Sequence, residues 1–432
     1  TLAEKASLCA GLNMWMTKGI ERLNIPPVHM YDGTNGIRKT NSDEEMGITT
    51  ENVPATCYPT GSAIGSSWNT ELLHEVGVAL GRESKAMDVE LLLGPGVNMK
   101  RTPLGGRNFE YYSEDPCLTG ELGAAFINGI QSEGVGASVK HFAGNNQEFE
   151  KMVTSSEIDE RTLREIYLSA FERIIKKSDP WTVMCSYNLL NGTYTSENEH
   201  LLHDILREEW GYEGVVLSDW TAVNDRIRGL KAGLDLEMPG PAHYNAKAII
   251  EAIQNGSLSE EQLDRSVGRI LKLVERVTGN KGEGTSEDAD YHALARKAAA
   301  ESIVLLKNEN AILPLQPESL GSIAVIGRFA KKPRIQGAGS AKVTPTRVDI
   351  PWDEIKNLAG ENITMGYSEG YPEDDSIHDE LIQESVTLAK NSDVAVLFVG
   401  QPEYAESEMH DLQGIDLPEH QVKLIMAVAA VQ

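Results

Sequence analysis

Over the first 277 residues, seven short apolar runs of strand length alternate with amphipathic stretches of helical length, and this alternation restricts the fold more than any other feature. The strand-like runs are 28–32, 62–66, 89–97, 137–141, 182–187, 215–219 and 234–238. Helical periodicity fits 70–86, 117–133, 159–177, 199–210, 246–254 and 259–277, the last opened by Ser257-Leu258-Ser259-Glu260-Glu261, an N-cap followed by first-turn acids. Repeated strand–helix units require a parallel sheet, open or closed. So many units before any break in composition favour closure, a (β/α)8-like barrel over residues 1–278. The break is the Gly-rich polar run Gly279 to Ser286, read as a linker over 279–288. Beyond it a helix at 289–306, strands at 323–327, 363–365 and 394–400, and helices at 378–390 and 419–431 predict an α/β sandwich domain over 289–432. Because this series ends on a helix, its sheet lacks the next parallel strand, and the sandwich is expected to be partial.

Composition narrows the partners. A net charge of −26 and a pI near 4.8 repel phosphate backbones and anionic headgroups, so neither nucleic acid nor a membrane surface is expected. No apolar stretch approaches the ~20 residues that span a bilayer. The first residue is Thr, so any start or signal peptide lies outside the sequence, and both a cytoplasmic and a secreted location stay open. Cys9, Cys57, Cys117 and Cys185 form no CxxC pair and no metal spacing, and read as reduced structural thiols.

Chemistry gathers where barrel strands end. In Gly214-Val215-Val216-Leu217-Ser218-Asp219-Trp220 an apolar run stops at a carboxylate. Asp219 is either a mounted catalytic acid or the cap of a helix starting near Thr221. Asp32 to Arg38 ends another run and is also a plain Gly/Asn turn. Arg107 and Glu110 follow a third, where a surface ion pair would explain them equally well. Lys140 and His141 end the run 137–139 and offer two donors to a polar ligand, with a satisfied buried histidine as the alternative. Tyr187-Asn188 ends a further run. Carboxylates, cationic donors, an amide and aromatic faces are the inventory that sugar hydroxyls require. Gly337-Ala338-Gly339-Ser340 lacks the third glycine of a dinucleotide loop, so nucleotide binding is not expected.

GRNFEYYSEDP at 106–116, SVKHFAGNNQE at 138–148, VMCSYNLLNG at 183–192, GVVLSDW at 214–220 and GLDLEMPG at 233–240 together resemble glycoside hydrolase family 3, of the β-glucosidase type. The resemblance runs from about residue 2 to 432 and implies a barrel-like domain followed by an α/β sandwich, one sugar site, and retention of anomeric configuration. It implies that Asp219 is the nucleophile, that Asp32, Arg38, Arg107, Lys140 and His141 bind the terminal sugar, and that Met184, Tyr187 and Trp220 line the site. Ser340 matches a sandwich-domain loop of the family, although an ordinary polar loop explains it too.

The segment 399–411 resembles the family's Glu-Ser-Glu-Gly-x-Asp-Arg loop and makes Glu408 the general acid/base. Met409 stands where Gly is common and Leu412 where Arg is common, which leaves Glu406 and Glu403 open as acids and a merely solvated acidic face as the alternative. The expected activity is that of a retaining exo-β-glucosidase. A β-xylosidase, a broader β-glycosidase and a carbohydrate-binding protein with a decayed acid loop are the alternatives. The expected mechanism needs Asp219 ionised beside Lys140 and Arg107, Glu408 raised by desolvation, a bell-shaped pH dependence, and neither metal nor cofactor. The expected partner is a small carbohydrate; a homo-oligomer is compatible with the sequence.

Overall fold

Most strands of the first sheet form where the sequence is largely apolar, because burial on both faces accommodates such runs. The computed structural model describes residues 1–47, 52–280, 291–374 and 376–432. Five parallel strands pair in the order Met30–Asp32, Leu91–Leu93, Gly136–Phe142, Thr182–Cys185 and Val215–Leu217, every residue of them buried. Single bridges then carry the ring onward. Leu217 pairs with Leu236 and Glu237 with Ala10 in parallel, while Gly11 pairs with Thr17 and Met16 with His29 antiparallel, which returns the chain to the first strand. The result is a barrel-like ring whose C-terminal strand ends carry Asp32, His141, Tyr187 and Asp219.

Helices cover the ring. Thr70–Ala86 starts at Asn69, whose side chain accepts the N–H groups of Glu71 and Leu72, a cap that stabilises by about 1 kcal/mol. It packs on Pro116–Ser132, capped by Asp115 with Pro116 in the first turn. Their axes approach closely because Gly77 and Gly129 face the other helix: a Cβ on either would lie 2.3 Å from a backbone oxygen of the partner. Ser259 closes a capping box with Gln262 at the head of Glu260–Gly279.

The chain folds as two compact units, Thr1–Ile303 with Ala338–Thr346 and Glu408–Asp411, and Val304–Gly337 with Arg347–Ser407 and Leu412–Gln432. The second unit holds a parallel sheet in the order Thr364–Ser368, Ser322–Ile326, Val394–Leu397. Ala324 and Ile326 face helices Asp379–Lys390 and Glu419–Ala429, and Ile323 and Val325 face Pro351–Ala359, giving the three layers of an α/β sandwich. Among the described residues, no helix is long and apolar enough to cross a membrane.

The structure departs from the sequence reading in several places. Residues 62–66, expected as a strand, lie in the helix Gly61–Gly65, since a short apolar run carries too few residues for its period to decide. Residues 234–238 contribute only bridges, not a named strand. The helix expected over 159–177 contains a π-turn at Leu163–Tyr167, and the one expected over 199–210 is a π-helix at His200–Glu209. Pro351–Ala359 was not foreseen as a helix. From residue 281 on, the expected linker lies outside the described residues.

Candidate active site

Asp32 closes the first strand and sits almost fully buried between two cations. Arg38 NH2 donates to its Oδ2 and Lys140 Nζ to its Oδ1 at 3.0 Å. Burial works to raise this carboxyl, but Lys140 and Arg38 outweigh it and hold Asp32 low and ionised. Arg38 reaches further, donating from Nε to the Ser340 carbonyl (2.8 Å) and from NH1 to the Met46 carbonyl (2.6 Å). Its guanidinium lies 5.2 Å from the ring centre of Trp15, which stacks on Tyr31 and stands 5.5 Å from Trp220. The turn reading of Asp32 and Arg38 therefore gives way to a buried ion pair backed by an aromatic wall.

Glu408 belongs to the same unit through the short segment Glu408–Asp411. Lys151 Nζ donates to its Oε1 at 2.8 Å, Arg107 NH1 to the same oxygen at 3.3 Å, and the Ser340 N–H to Oε2 at 3.0 Å. Arg107 also forks onto Glu110 at 2.7 and 2.9 Å, a buried pair rather than a surface one. Gly339 has φ +99, and a Cβ there would stand 2.4 Å from Glu408 Cβ. A glycine is required by both backbone and space. Met409 and Leu412 leave these contacts in place. Glu406 pairs with Arg334 in the second unit, where Glu403 is exposed.

Asp219 does not cap a helix. Asp225 caps the next one, Arg226–Ala232, while Asp219 Oδ1 accepts the N–H of Trp220 at 2.7 Å. Its Oδ2 lies 3.7 Å from His141 Nε2 and is buried without a hydrogen bond of standard geometry among the described residues. His141 is held by Asn98, whose Oδ1 lies 2.8 Å from the His141 N–H and 3.2 Å from Nδ1. Burial and the charges of Arg107, Lys140 and Lys151 keep the imidazole well below its usual value, hence neutral. Tyr187 has its phenol raised by burial and by the Asp219 and Glu408 charges, and its ring faces the Lys151 ammonium at 4.7 Å. Met184 pairs across to Leu217, two residues before Asp219.

The charge order of the two carboxyls is the reverse of the sequence expectation. Burial pushes Asp219 up to about 6, Glu408 adds to this, and Arg107, Lys151 and Lys140 only partly offset it. For Glu408 burial is overcome by Arg107 and Lys151 and by hydrogen bonds from Lys151 and Ser340, so it lies well below the usual range. The cause is allocation. Lys140 is bound by Asp32, and Arg107 by Glu110 and Glu408, so neither donates to Asp219.

Sequence reasoning missed Lys151, Glu148 and Asp411. Lys151 bridges Glu148 and Glu408 at 2.8 Å each. The Asp411 carboxylate accepts the N–H groups of Gly106, Glu148 and Phe149 at 2.9 to 3.0 Å, tying three segments together. Asp411 falls on the Asp of the resembled acid loop and Glu148 closes the run 138–148, which were signals for both, whereas Lys151 had only its i, i+3 spacing from Glu148, as common on any surface. Among the described residues, no three His, Cys, Asp or Glu side chains converge as a metal site.

Residues 37–273 match the glycosyl hydrolase family 3 N terminal domain and 303–432 the glycosyl hydrolase family 3 C-terminal domain. Thermostable β-glucosidase B of Acetivibrio thermocellus is 54% identical over 434 residues, 100% of this chain and 57% of that protein. The exo-α-(1→6)-L-arabinopyranosidase of Bifidobacterium breve is 45% identical over 442 residues, 100% of this chain and 58% of that protein. The chain thus spans under two thirds of these relatives. The crystal structure of a Bifidobacterium adolescentis family 3 β-glucosidase superposes with a TM-score of 0.93 at 44% identity, covering 100% of this chain and 62% of that one. β-Glucosidase 3B of Thermotoga neapolitana, in complex with α-D-glucose, gives 0.89 at 35% identity over 100% and 66%.

Proposed function

Because the chain belongs to glycosyl hydrolase family 3, we propose that it carries the catalytic site of a retaining exo-β-glucosidase, with Asp219 as nucleophile and Glu408 as general acid/base. The observation that carries this reading is geometric: Asp219 ends a buried barrel strand beside His141, and within the same unit Glu408 is seated by Lys151, Arg107 and the Ser340 N–H. Asp219 attacks the anomeric carbon while Glu408 protonates the departing oxygen; water activated by Glu408 then releases the sugar with configuration retained. Asp32 retains lone pairs for sugar hydroxyls, and Arg107, Lys140 and His141 add polar groups around the ring. Trp220 and Trp15 supply an apolar wall. Glucose as the terminal sugar is supported by relatives named β-glucosidases. A terminal α-L-arabinopyranose is the second reading, favoured by the arabinopyranosidase relative. Initial rates on aryl β-D-glucoside against aryl α-L-arabinopyranoside decide between them, and turnover of neither sinks both.

The pH dependence follows from the pair. Cleavage needs one proton, on Glu408, with Asp219 ionised. In the ligand-free site Glu408 loses its proton first and Asp219 near 6, so the one-proton population disappears as pH rises through about 6. The expected kcat/KM profile is a bell with its alkaline limb near pH 6. A plateau extending to pH 8 would contradict the charge order.

Gly339→Ala tests the seat of Glu408. The added methyl clashes with Glu408 Cβ, so turnover is expected to fall by ~10²-fold, the scale of a misplacement near 1 Å. Circular dichroism should be unchanged. An Ala variant of full activity would show that the seat is not needed.

A further inference from the structure

Lys151 is almost fully buried, and two carboxylates hold its ammonium at once. Nζ lies 2.8 Å from Glu408 Oε1, 2.8 Å from Glu148 Oε2 and 4.7 Å from the ring centre of Tyr187. Glu148, 3% exposed, has anchors of its own. Its N–H donates to the Asp411 carboxylate at 2.9 and 3.0 Å, and its Oε2 also accepts the N–H of Met409, the residue after Glu408, at 2.9 Å. One buried oxygen thus grips both the counter-ion of the acid and the backbone beside it. Glu408 must carry a proton when the leaving oxygen departs and must be ionised when water attacks. A buried ammonium whose one partner becomes neutral is left uncompensated, at a large penalty. Arg107 meets that change with Glu110, and for Lys151 the corresponding second partner is Glu148.

We propose that Glu148 is a positioning residue for the acid: it keeps the Lys151 ammonium paired while Glu408 is protonated, so that Glu408 holds and releases its proton with the cation in place throughout. The proposal deepens the reading of Glu408 as acid/base and rests on it. The proton passes between Glu408 and the leaving oxygen or the attacking water, and Lys151 stays an ammonium. An ionised Glu148 repels charge on Glu408 and competes for Lys151, and both effects favour the protonated acid. Arg107, Tyr111, His141, Tyr187 and Asp219 also act on one or both carboxyls, while the chain neighbours Glu150 and His410 are exposed. Burial holds the Glu148 carboxyl above its usual value in spite of Arg107, Lys151 and the Met409 N–H. Below that raised value Glu148 is neutral and its help to Glu408 ends.

The test is Glu148→Gln in the complete protein that carries this chain, read as kcat/KM on an alkyl β-D-glucoside and on an activated aryl β-D-glucoside. Lys151 and the Met409 N–H reach the same oxygen of Glu148, so the amide keeps an acceptor for both and removes only the charge. Lys151 then turns wholly to Glu408, which holds its proton less well. The alkyl glucoside, whose leaving group needs that proton, is expected to lose about ten-fold at pH 6, and the aryl glucoside, whose leaving group does not, to stay within about two-fold. The alkyl loss should shrink toward pH 4, where the raised Glu148 carboxyl is itself neutral and acid and amide are alike. Glu148→Asp, which draws the charge back from Lys151, should give the same selective loss and stands in if the amide variant does not fold. An equal loss on both substrates, a loss that does not change with pH, or no loss at all overturns the proposal. Failure of wild type to hydrolyse any glycoside would instead remove the functional reading on which it rests.

Discussion

Asp219→Asn is expected to abolish turnover while making the ligand-free protein more stable at neutral pH. Loss of the nucleophile should lower kcat by roughly 10⁴-fold or more. The stability gain follows from the raised carboxyl. A group whose pKa goes up on folding, here from 3.8 to about 6, favours the folded state below 3.8, and that contribution is lost as pH rises through about 6. Ionised Asp219 at pH 7.5 thus costs the fold about 3 kcal/mol, which an uncharged amide avoids. Melting curves should show the variant above wild type by a few degrees at pH 7.5, with the gap closing toward pH 4. A gap independent of pH would mean that Asp219 is not the strained charge of this site, and a variant retaining activity would remove it as nucleophile.

Glu408→Ala is expected to separate substrates by leaving group. Without the acid, hydrolysis of an alkyl glucoside or disaccharide should fall by ~10³-fold, whereas an activated aryl glucoside should still form the glycosyl-enzyme and stall there. Azide, which needs no base to activate it, should then restore turnover and give the β-glucosyl azide, because it attacks the face opposite Asp219. Absence of rescue, or an equal loss on all substrates, would move the acid role elsewhere, with Glu406 and Glu403 next in line. Arg107 keeps Glu110 and Lys151 keeps Glu148 in this variant, so no buried cation is left alone.

The strands Leu91–Leu93, Thr182–Cys185 and Val215–Leu217 were legible because a nearly unbroken apolar run has few other uses than a strand buried on both faces, and Gly136–Phe142 was legible as a short run ending in the polar pair Lys140-His141. The helix Thr70–Ala86 was legible residue for residue, since Asn69 marks its start and its apolar spacing is helical throughout. That Asp219, Lys140, His141 and Tyr187 stand at strand ends follows from the same patterns. Closure of the ring was expected from the number of strand–helix units, but the residues that complete it were not legible, because the single bridges at Ala10, Gly11, Met16 and Glu237 carry no period.

The sequence by itself determined which acids, cations and aromatic rings reach the strand ends, for that depends on local pattern. Only the tertiary structure decided who pairs with whom. Ser340 and Lys151, far apart in the chain, both donate to Glu408, while Asp219, among the described residues, has only uncharged partners, the Trp220 N–H, the Tyr187 phenol and a neutral histidine. A carboxyl's proton affinity sums burial and every charge around it through space, and that sum exists only once the chain is folded.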